Sequence, residues 1–152
     1  STRVPMLMAG PGIPRGQKND ALCYLHDIFP TLCGLCGMET PESVDGLGLT
    51  ATIEDTSQTL RTELHTAYTH LHRAVRDRRY KLIEYVVGDA RHTQLFDLID
   101  DPGEMVNLAS DPQYAEPLQR LRCELRKLRT EQDDTGEMGD VFWAGYDEVR
   151  AG

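Results

Sequence analysis

The sequence lacks the features that mark several classes of protein. Its four cysteines in 152 residues are too few and too unevenly spaced for a small disulfide-stabilised domain. It contains no apolar run near the roughly 20 residues that a membrane-spanning helix needs, and it has no low-complexity segment and no internal repeat. We therefore expect a globular chain without a membrane segment and without a disulfide framework.

Positive charge is also scarce. The chain has 16 lysines and arginines against 25 aspartates and glutamates, which gives a formal net charge of -9. Its one basic cluster, between Arg73 and Lys81, is interrupted by Asp77. Because a negatively charged chain repels nucleic acid and acidic membrane surfaces, we expect neither as a partner.

Two of the cysteines, Cys33 and Cys36, have the C-x-x-C spacing of redox and zinc sites. The chain has no second pair of this kind, and these two lie in an apolar helical pattern. The preferred interpretation is that they are small core or helix-surface residues.

The first third of the chain predicts a strand, a turn and an interrupted helix. The apolar run from Val4 to Ala9 is typical of a buried strand. From Asp20 to Gly37, apolar residues recur at steps of three and four, which is a helical period. Pro30 would interrupt one long helix, but it is tolerated in the first turn of a helix that begins after Asp27.

The rest of the chain predicts a small antiparallel sheet covered by one long helix. A loop rich in Pro, Gly, Asp, Ser and Thr indicates a subdomain boundary near residues 50–59. Three runs enriched in β-branched and aromatic residues, at 67–75, 80–87 and 93–98, predict a three-stranded meander. A stripe of apolar residues then predicts the helix. The stripe consists of Tyr114, Leu118, Leu121, Leu125 and Leu128. Residues 131–152 either dock their aromatic cluster on the body of a parent protein or are disordered, and the cluster favours docking.

An acidic corner, LFDLIDDPGEMVNLASDP, connects the last predicted strand to this helix. Pro102 restricts one backbone dihedral angle and Gly103 permits the next, so that the chain can turn sharply. Asn107 and Asp111 can accept hydrogen bonds from exposed backbone N–H groups. The corner is therefore interpreted as structural, and catalysis by its carboxylates is not favoured.

Five segments, in the same order along the chain, resemble sulfatases of the alkaline-phosphatase superfamily. The segments are RVPMLMAGPGIPRGQ, LHDIFPTLCGLCGM, VDGLGL, RAVRDRRYKLI and LFDLIDDPGEMVNLASDPQY. The resemblance implies an α+β chain that is the C-terminal portion of a formylglycine-dependent sulfatase, a sulfuric ester hydrolase. Residues 1–50 would be the end of the large α/β catalytic domain. Residues 51–130 would be the sheet-and-helix subdomain, and residues 131–152 a C-terminal tail.

The catalytic parts that this resemblance implies lie outside the chain. The family's nucleophile is a formylglycine made from the Cys or Ser of a C/S-x-P-x-R motif, and none of the four cysteines lies in such a motif. The nearest serine match, at Ser110, has Tyr114 where the motif requires Arg, so it is interpreted as a helix cap. We therefore expect no catalytic residue and no metal ligand here, and an isolated chain that is inactive.

For the parent enzyme the resemblance implies formylglycine and calcium. The implied partners are the missing N-terminal catalytic half and a sulfate-ester small molecule or sugar. The compartment stays open, because the parent could be cytoplasmic or periplasmic.

The substrate-binding candidates in this chain are His70, His72 and Arg73. The two histidines are expected on one face of the first strand, and all three side chains suit an anionic ester or its sugar or aryl group. The alternative is that they are ordinary polar surface residues. A zinc site at the two histidines would need a third ligand, for which His65 is the nearest option, and is not favoured.

Two other functions stay open. A phosphonate or phosphodiester hydrolase shares the sulfatase scaffold, and only the nucleophile region would separate the two. A non-catalytic α+β interaction module should bury its own sheet. A fragment should instead leave the Val4–Met8 strand unpaired and the apolar helix face between Leu22 and Leu35 exposed. The apolar start of the chain favours the fragment.

Overall fold

The computed structural model describes residues 3–148, apart from the side chains of Leu128 and Glu148. The chain forms two compact units that divide between Thr62 and Glu63. This division lies a few residues after the boundary that the sequence predicted near residues 50–59. We call the part before it unit 1 and the part after it unit 2. No helix among the described residues is long and apolar enough to cross a membrane.

Unit 1 contains two short helices. A 3₁₀ turn at Leu25–Asp27 leads into α1, Ile28–Leu35, and α2 is Thr50–Glu54. Residues 3–24 form neither helix nor strand. The predicted strand at 4–9 is therefore wrong for this chain. A strand needs a hydrogen-bonded neighbour, and none of the described residues supplies one to this segment.

Helix α1 is the interrupted helix of the prediction. It begins after Asp27 and holds Pro30 in its first turn, where the N–H that proline lacks would have no intrahelical partner. Residues 20–24 stay outside the helix, so only the 3₁₀ turn precedes it. Gly37 follows the helix with φ of 68°, a left-handed conformation that commonly ends helices and that glycine adopts without steric cost.

Unit 2 is built on an antiparallel sheet of four strands, one more than predicted. The strands pair in chain order and are β1 (Leu64–Tyr68), β2 (His72–Arg76), β3 (Tyr80–Val87) and β4 (Ala90–Asp97). The prediction failed because a turn divides the run at 67–75 into the end of β1 and most of β2. This turn contains no glycine or proline, and Thr69 adopts φ of 47° instead. The usual sequence signal of a hairpin is therefore absent.

Two helices follow the sheet. The side chain of Asp111 accepts a hydrogen bond from the N–H of Gln113 at 2.9 Å. It caps a 3₁₀ turn at Pro112–Tyr114 that leads into α3, Ala115–Glu131, so the predicted cap and helix are confirmed. Helix α4, Gly136–Glu148, occupies the segment that was predicted as a tail.

The core of unit 2 lies between one face of the sheet and these two helices. Phe142, Trp143 and Tyr146 of α4 are at most 2% exposed, so the aromatic cluster is packed and not disordered. It packs in the core of unit 2 itself, and not on the body of the parent as the sequence predicted. The three rings contact one another at centroid distances of 5.1 to 5.6 Å. The other buried members of this core are Val75, Leu82, Val86, Leu95, Leu118, Leu121 and Leu125. The observed architecture is the expected α+β arrangement, with a second helix added to the predicted one.

Candidate functional site

The turn between β1 and β2 carries the first of the predicted site residues. His70 lies in this turn with an exposed side chain. The prediction that His70 and His72 share the face of a strand is therefore wrong, because His70 is not on a strand. The N–H of Leu71 donates to the carbonyl oxygen of Tyr68 at 3.1 Å and closes the turn. The hairpin thus presents His70 at its tip.

His72 begins β2 and lies on the sheet face opposite to α3 and α4. Its ring stacks on Tyr68 with the centroids 5.7 Å apart and meets Tyr85 at 5.3 Å. Its own burial, followed by the positive charges of Arg73 and Lys81, lowers the pKa of His72. The neutral imidazole that results has one nitrogen that donates and one that accepts. Such a ring beside two tyrosines can bind the hydroxyl groups and apolar face of a sugar.

Arg73 faces the helices and is buried, with 1% of its side chain exposed. Its Nε and Nη2 donate to the two carboxylate oxygens of Asp134 at 2.6 and 2.9 Å. Its Nη1 donates to the carbonyl oxygen of Thr69 at 2.7 Å, and the guanidinium lies 4.8 Å from the centre of the Phe142 ring. Arg73 therefore holds the turn that presents His70, and its contact with substrate stays a prediction.

Asp134 joins the loop before α4 to both the sheet and the core. One of its oxygens also accepts a hydrogen bond from Nε1 of Trp143 at 2.9 Å. Burial alone would raise the pKa of Asp134, but the hydrogen bonds from Arg73 and Trp143 and the charge of Arg73 hold it below the ordinary value. Sequence reasoning missed this residue because it lies 61 positions from Arg73, in a stretch without periodicity.

His65, the option for a third zinc ligand, lies on β1. Its Nδ1 is 3.0 Å from Oε1 of Gln132, and burial lowers its pKa. Within residues 3–148, no group of three His, Cys, Asp or Glu side chains is placed to hold a metal ion. The described histidines are therefore not placed together as a zinc site. The calcium that the resemblance implies for the parent stays a prediction.

In unit 1, the LHDIFPTL and VDGLGL segments meet at Asp27, which is completely buried. Asp27 accepts a hydrogen bond from the N–H of Leu47 at 2.8 Å, and Arg61 donates two more at 2.6 and 2.8 Å. Gly46 lies so close to the backbone of His26 that an added Cβ would be 2.3 Å from its carbonyl oxygen. These motif residues fasten a loop against α1, so their role in this unit is structural.

The acidic corner after β4 is held by its own side chains. Asp101 accepts hydrogen bonds from the N–H groups of Met105 and Val106 at 2.6 and 2.8 Å. Asn107 accepts a hydrogen bond from the N–H of Leu95 at 3.0 Å, which attaches the corner to β4. The structural interpretation of the corner is confirmed, because both side chains satisfy backbone donors of a tight turn, although the sequence prediction gave this role to Asn107 and not to Asp101. The residue with positive φ is Glu104, at 56°, and not Gly103, so that part of the prediction is wrong.

Comparison with known proteins assigns the chain to a family. Residues 1–131 match the family model described as N-sulphoglucosamine sulphohydrolase, C-terminal. The chain belongs to this sulfatase family. The predicted resemblance to the C-terminal portion of a sulfatase is thereby confirmed, and the sheet and helices of unit 2 are those of a sulfatase C-terminal region.

Individual sulfatases support this assignment. The chain is 35% identical over 144 residues to the Delta 4,5-hexuronate-2-O-sulfatase of Bacteroides thetaiotaomicron, an alignment that covers 88% of this chain and 30% of that protein. A solved structure of a 2-O GAG sulfatase matches with a TM-score of 0.62 and 28% identity, over 94% of this chain and 30% of that one. The phosphonate monoester hydrolase of Agrobacterium radiobacter matches with a TM-score of 0.54 and 25% identity, over 69% of this chain and 24% of that one. The chain thus spans less than a third of the length of each of these sulfatase relatives.

Proposed function

We propose that this chain is the C-terminal portion of a sulfuric ester hydrolase and acts only together with a catalytic half encoded upstream. The observation that carries the proposal is the family match over residues 1–131, in a chain that covers only 30% of a related 2-O-sulfatase. The formylglycine nucleophile and the calcium ion would belong to the upstream half, where the first would supply the group that attacks the ester and the second would supply positive charge to the sulfate oxygens. The 152 residues contain no C/S-x-P-x-R motif, which supports an isolated chain without activity.

The apolar surface of unit 1 supports the upstream half as a partner. Leu25, Phe29 and Leu32 follow one another at steps of four and three along the 3₁₀ turn and α1, and they are 71%, 52% and 47% exposed. Residues at these steps share one helix face. Contiguous exposed apolar surface of this kind commonly marks a protein–protein interface. We propose that the α/β catalytic half of the parent packs on this surface.

The β1–β2 hairpin is our candidate for the rim of the substrate site. His70 is exposed in the turn, and His72 is half-buried beside two tyrosine rings, so both could contact the sugar or aryl group of a sulfate ester. Arg73 would act through the turn, because its guanidinium is bound to Asp134 and to the Thr69 carbonyl. The hairpin would thus recognise the substrate but supply no nucleophile.

The test compares the 152-residue chain with the protein encoded by the whole reading frame that contains it. Both are assayed with p-nitrophenyl sulfate. We expect turnover by the whole protein and none by the chain alone. Turnover by the chain alone would contradict the proposal that the catalytic groups lie in the upstream half. A whole protein that cleaves no sulfate ester would contradict the proposed sulfatase activity.

The rim assignment has its own test in the whole protein. His70→Ala and His72→Ala are expected to raise KM for the sulfated substrate and to leave kcat nearly unchanged, because the two side chains would bind substrate without taking part in the chemistry. His26→Ala, an exposed histidine of unit 1, is the matched control. An unchanged KM in both hairpin variants would show that neither histidine contacts the substrate.

A phosphonate ester hydrolase is the second candidate, and the match to the Agrobacterium radiobacter enzyme favours it specifically. The two activities are separated by comparing kcat/KM of the whole protein for an aryl sulfate and for an aryl phosphonate monoester. A larger value for the sulfate supports the first candidate. A larger value for the phosphonate supports the second.

A further inference from the structure

Unit 2 carries a cluster of arginines on the side of its two helices, which we call the arginine surface. Three of its members, Arg122, Arg126 and Arg129, recur at steps of four and three along α3 and therefore share one helix face. The fourth, Arg91, is on β4. Between a quarter and about a third of each α3 arginine side chain is exposed: 25%, 35% and 36% in chain order.

Aromatic rings of the core hold three of these guanidinium groups. Arg91 lies 4.1 Å and Arg126 lies 5.0 Å from the centre of the Tyr146 ring. Arg129 lies 5.0 Å from the centre of the Trp143 ring. Cation–π contact of this kind restrains the planar guanidinium through its face. Its N–H groups lie along its edge, so those that are not paired with a carboxylate remain able to donate to an acceptor.

The arginines of this surface outnumber their carboxylate partners. Arg122 donates from Nε to Glu84 at 2.8 Å, while Arg126 and Arg129 lie 2.9 and 3.6 Å from the carboxylate oxygens of Asp147. Arg91 has no carboxylate partner within the described residues. Four arginines therefore share two carboxylate partners, in a chain whose formal net charge is -9.

We propose that the arginine surface binds the sulfate groups of a sulfated polysaccharide. A sulfate ester presents several oxygen acceptors and a single negative charge, which suit the forked donors of arginine. The choice of a sulfated sugar chain over other polyanions rests on the proposed sulfatase function. The negative charge of the rest of the chain disfavours a long nucleic acid, which would lie along surfaces of the same sign.

The experiment measures binding of the 152-residue chain to fluorescently labelled dextran sulfate by anisotropy, with unsulfated dextran of the same length as reference. We expect binding to dextran sulfate alone, and weakening by added salt because the contacts are part-exposed charges. The double variant Arg91→Gln/Arg126→Gln is expected to bind about tenfold more weakly, since each part-exposed arginine contributes about a threefold gain. Arg91→Lys/Arg126→Lys retains the charge and should recover most of the binding.

Two further variants show whether the arginines bind sulfate groups or only stabilise the fold. Arg120→Gln removes the same charge from α3, at a residue that pairs instead with Asp77, and should leave binding unchanged. Asp147→Asn removes the negative partner of two surface arginines and should tighten binding, which loss of folding cannot imitate. Circular dichroism confirms that each variant is folded.

Three results would overturn the proposal. They are equal binding of dextran and dextran sulfate, equal weakening by the double variant and Arg120→Gln, and tighter binding of double-stranded DNA than of dextran sulfate. Because no turnover is measured, these results are independent of the sulfatase assay. A whole protein without sulfatase activity would contradict the proposed function and leave the binding measurement standing.

Discussion

The carboxylate of Asp134 accepts two hydrogen bonds from the guanidinium of Arg73, at 2.6 and 2.9 Å. Arg73 lies on β2, and Asp134 lies in the loop between α3 and α4, so this pair ties the last helix to the sheet. The same guanidinium reaches the carbonyl of Thr69. The conformation of the β1–β2 turn and the docking of α4 therefore depend on one buried ion pair.

Asp134→Asn is expected to lower the free energy of unfolding of unit 2 by about 3 kcal/mol, because it leaves a buried guanidinium without its counter-charge. Urea unfolding, followed by circular dichroism and by fluorescence of Trp143, the only tryptophan, measures the change. Asp133→Asn changes an exposed neighbour and should cost less than about 0.5 kcal/mol. Equal unfolding midpoints for the two variants would show that the Arg73–Asp134 pair does not stabilise unit 2.

The same pair predicts a pH dependence. The pKa of Asp134 is lower in the folded chain than in the unfolded chain, where an aspartate has a pKa of about 3.9. Its contribution is therefore fully present above the unfolded pKa and is lost as the pH falls through the folded pKa. The difference in stability between the native chain and Asp134→Asn should be constant from neutral pH to about 5 and shrink below about 4. A difference that persists unchanged at the lowest pH that permits folding would refute this.

In unit 1, Gly46→Ala is expected to destabilise the attachment of the VDGLGL loop to α1 by about 1–3 kcal/mol. Its Cβ would lie 2.3 Å from the backbone carbonyl oxygen of His26, a group that cannot rotate away. Gly48→Ala is the matched control, because the nearest atom to its Cβ is an oxygen at 3.6 Å, an ordinary contact. Amide hydrogen exchange of α1 measures the effect, and equal exchange in the two variants would contradict it.

The exposed apolar face of α1 predicts that the isolated chain binds a hydrophobic dye or self-associates. Phe29→Gln/Leu32→Gln should reduce dye fluorescence and association together, because both side chains belong to that face. Val106→Gln removes a similarly exposed side chain from unit 2 and should change little. A native chain that is monomeric and binds no dye would favour a stand-alone interaction module over a portion of a sulfatase.

Local patterns predicted the elements whose causes are local. The leucine stripe and the cap at Asp111 identified α3, and Gly37 marked the end of α1. The role of Asn107 was also predictable, because its side chain accepts a hydrogen bond from the N–H of Ala109, only two residues away. The order of the motifs identified the sulfatase family without any knowledge of the fold.

Other features depended on pairings between distant residues. The apolar run at 4–9 has the composition of a strand, but strand structure needs a neighbour that the described residues do not provide. The turn at Thr69 carries no glycine, and its position follows from the register of β1 against β2 and from the bond to Arg73.

The sequence by itself therefore determined α1, α3 with its cap at Asp111, and the family, since these depend on neighbours along the chain. It did not predict α2 or α4. The tertiary structure alone decided which residues are available at the candidate site. Arg73 and His72 are adjacent in sequence, yet the alternation of a strand sends one into the core to meet Asp134 and leaves the other beside Tyr68 and Tyr85 on the opposite face. Burial and partnership across 61 residues are properties of the folded chain, and no local pattern encodes them.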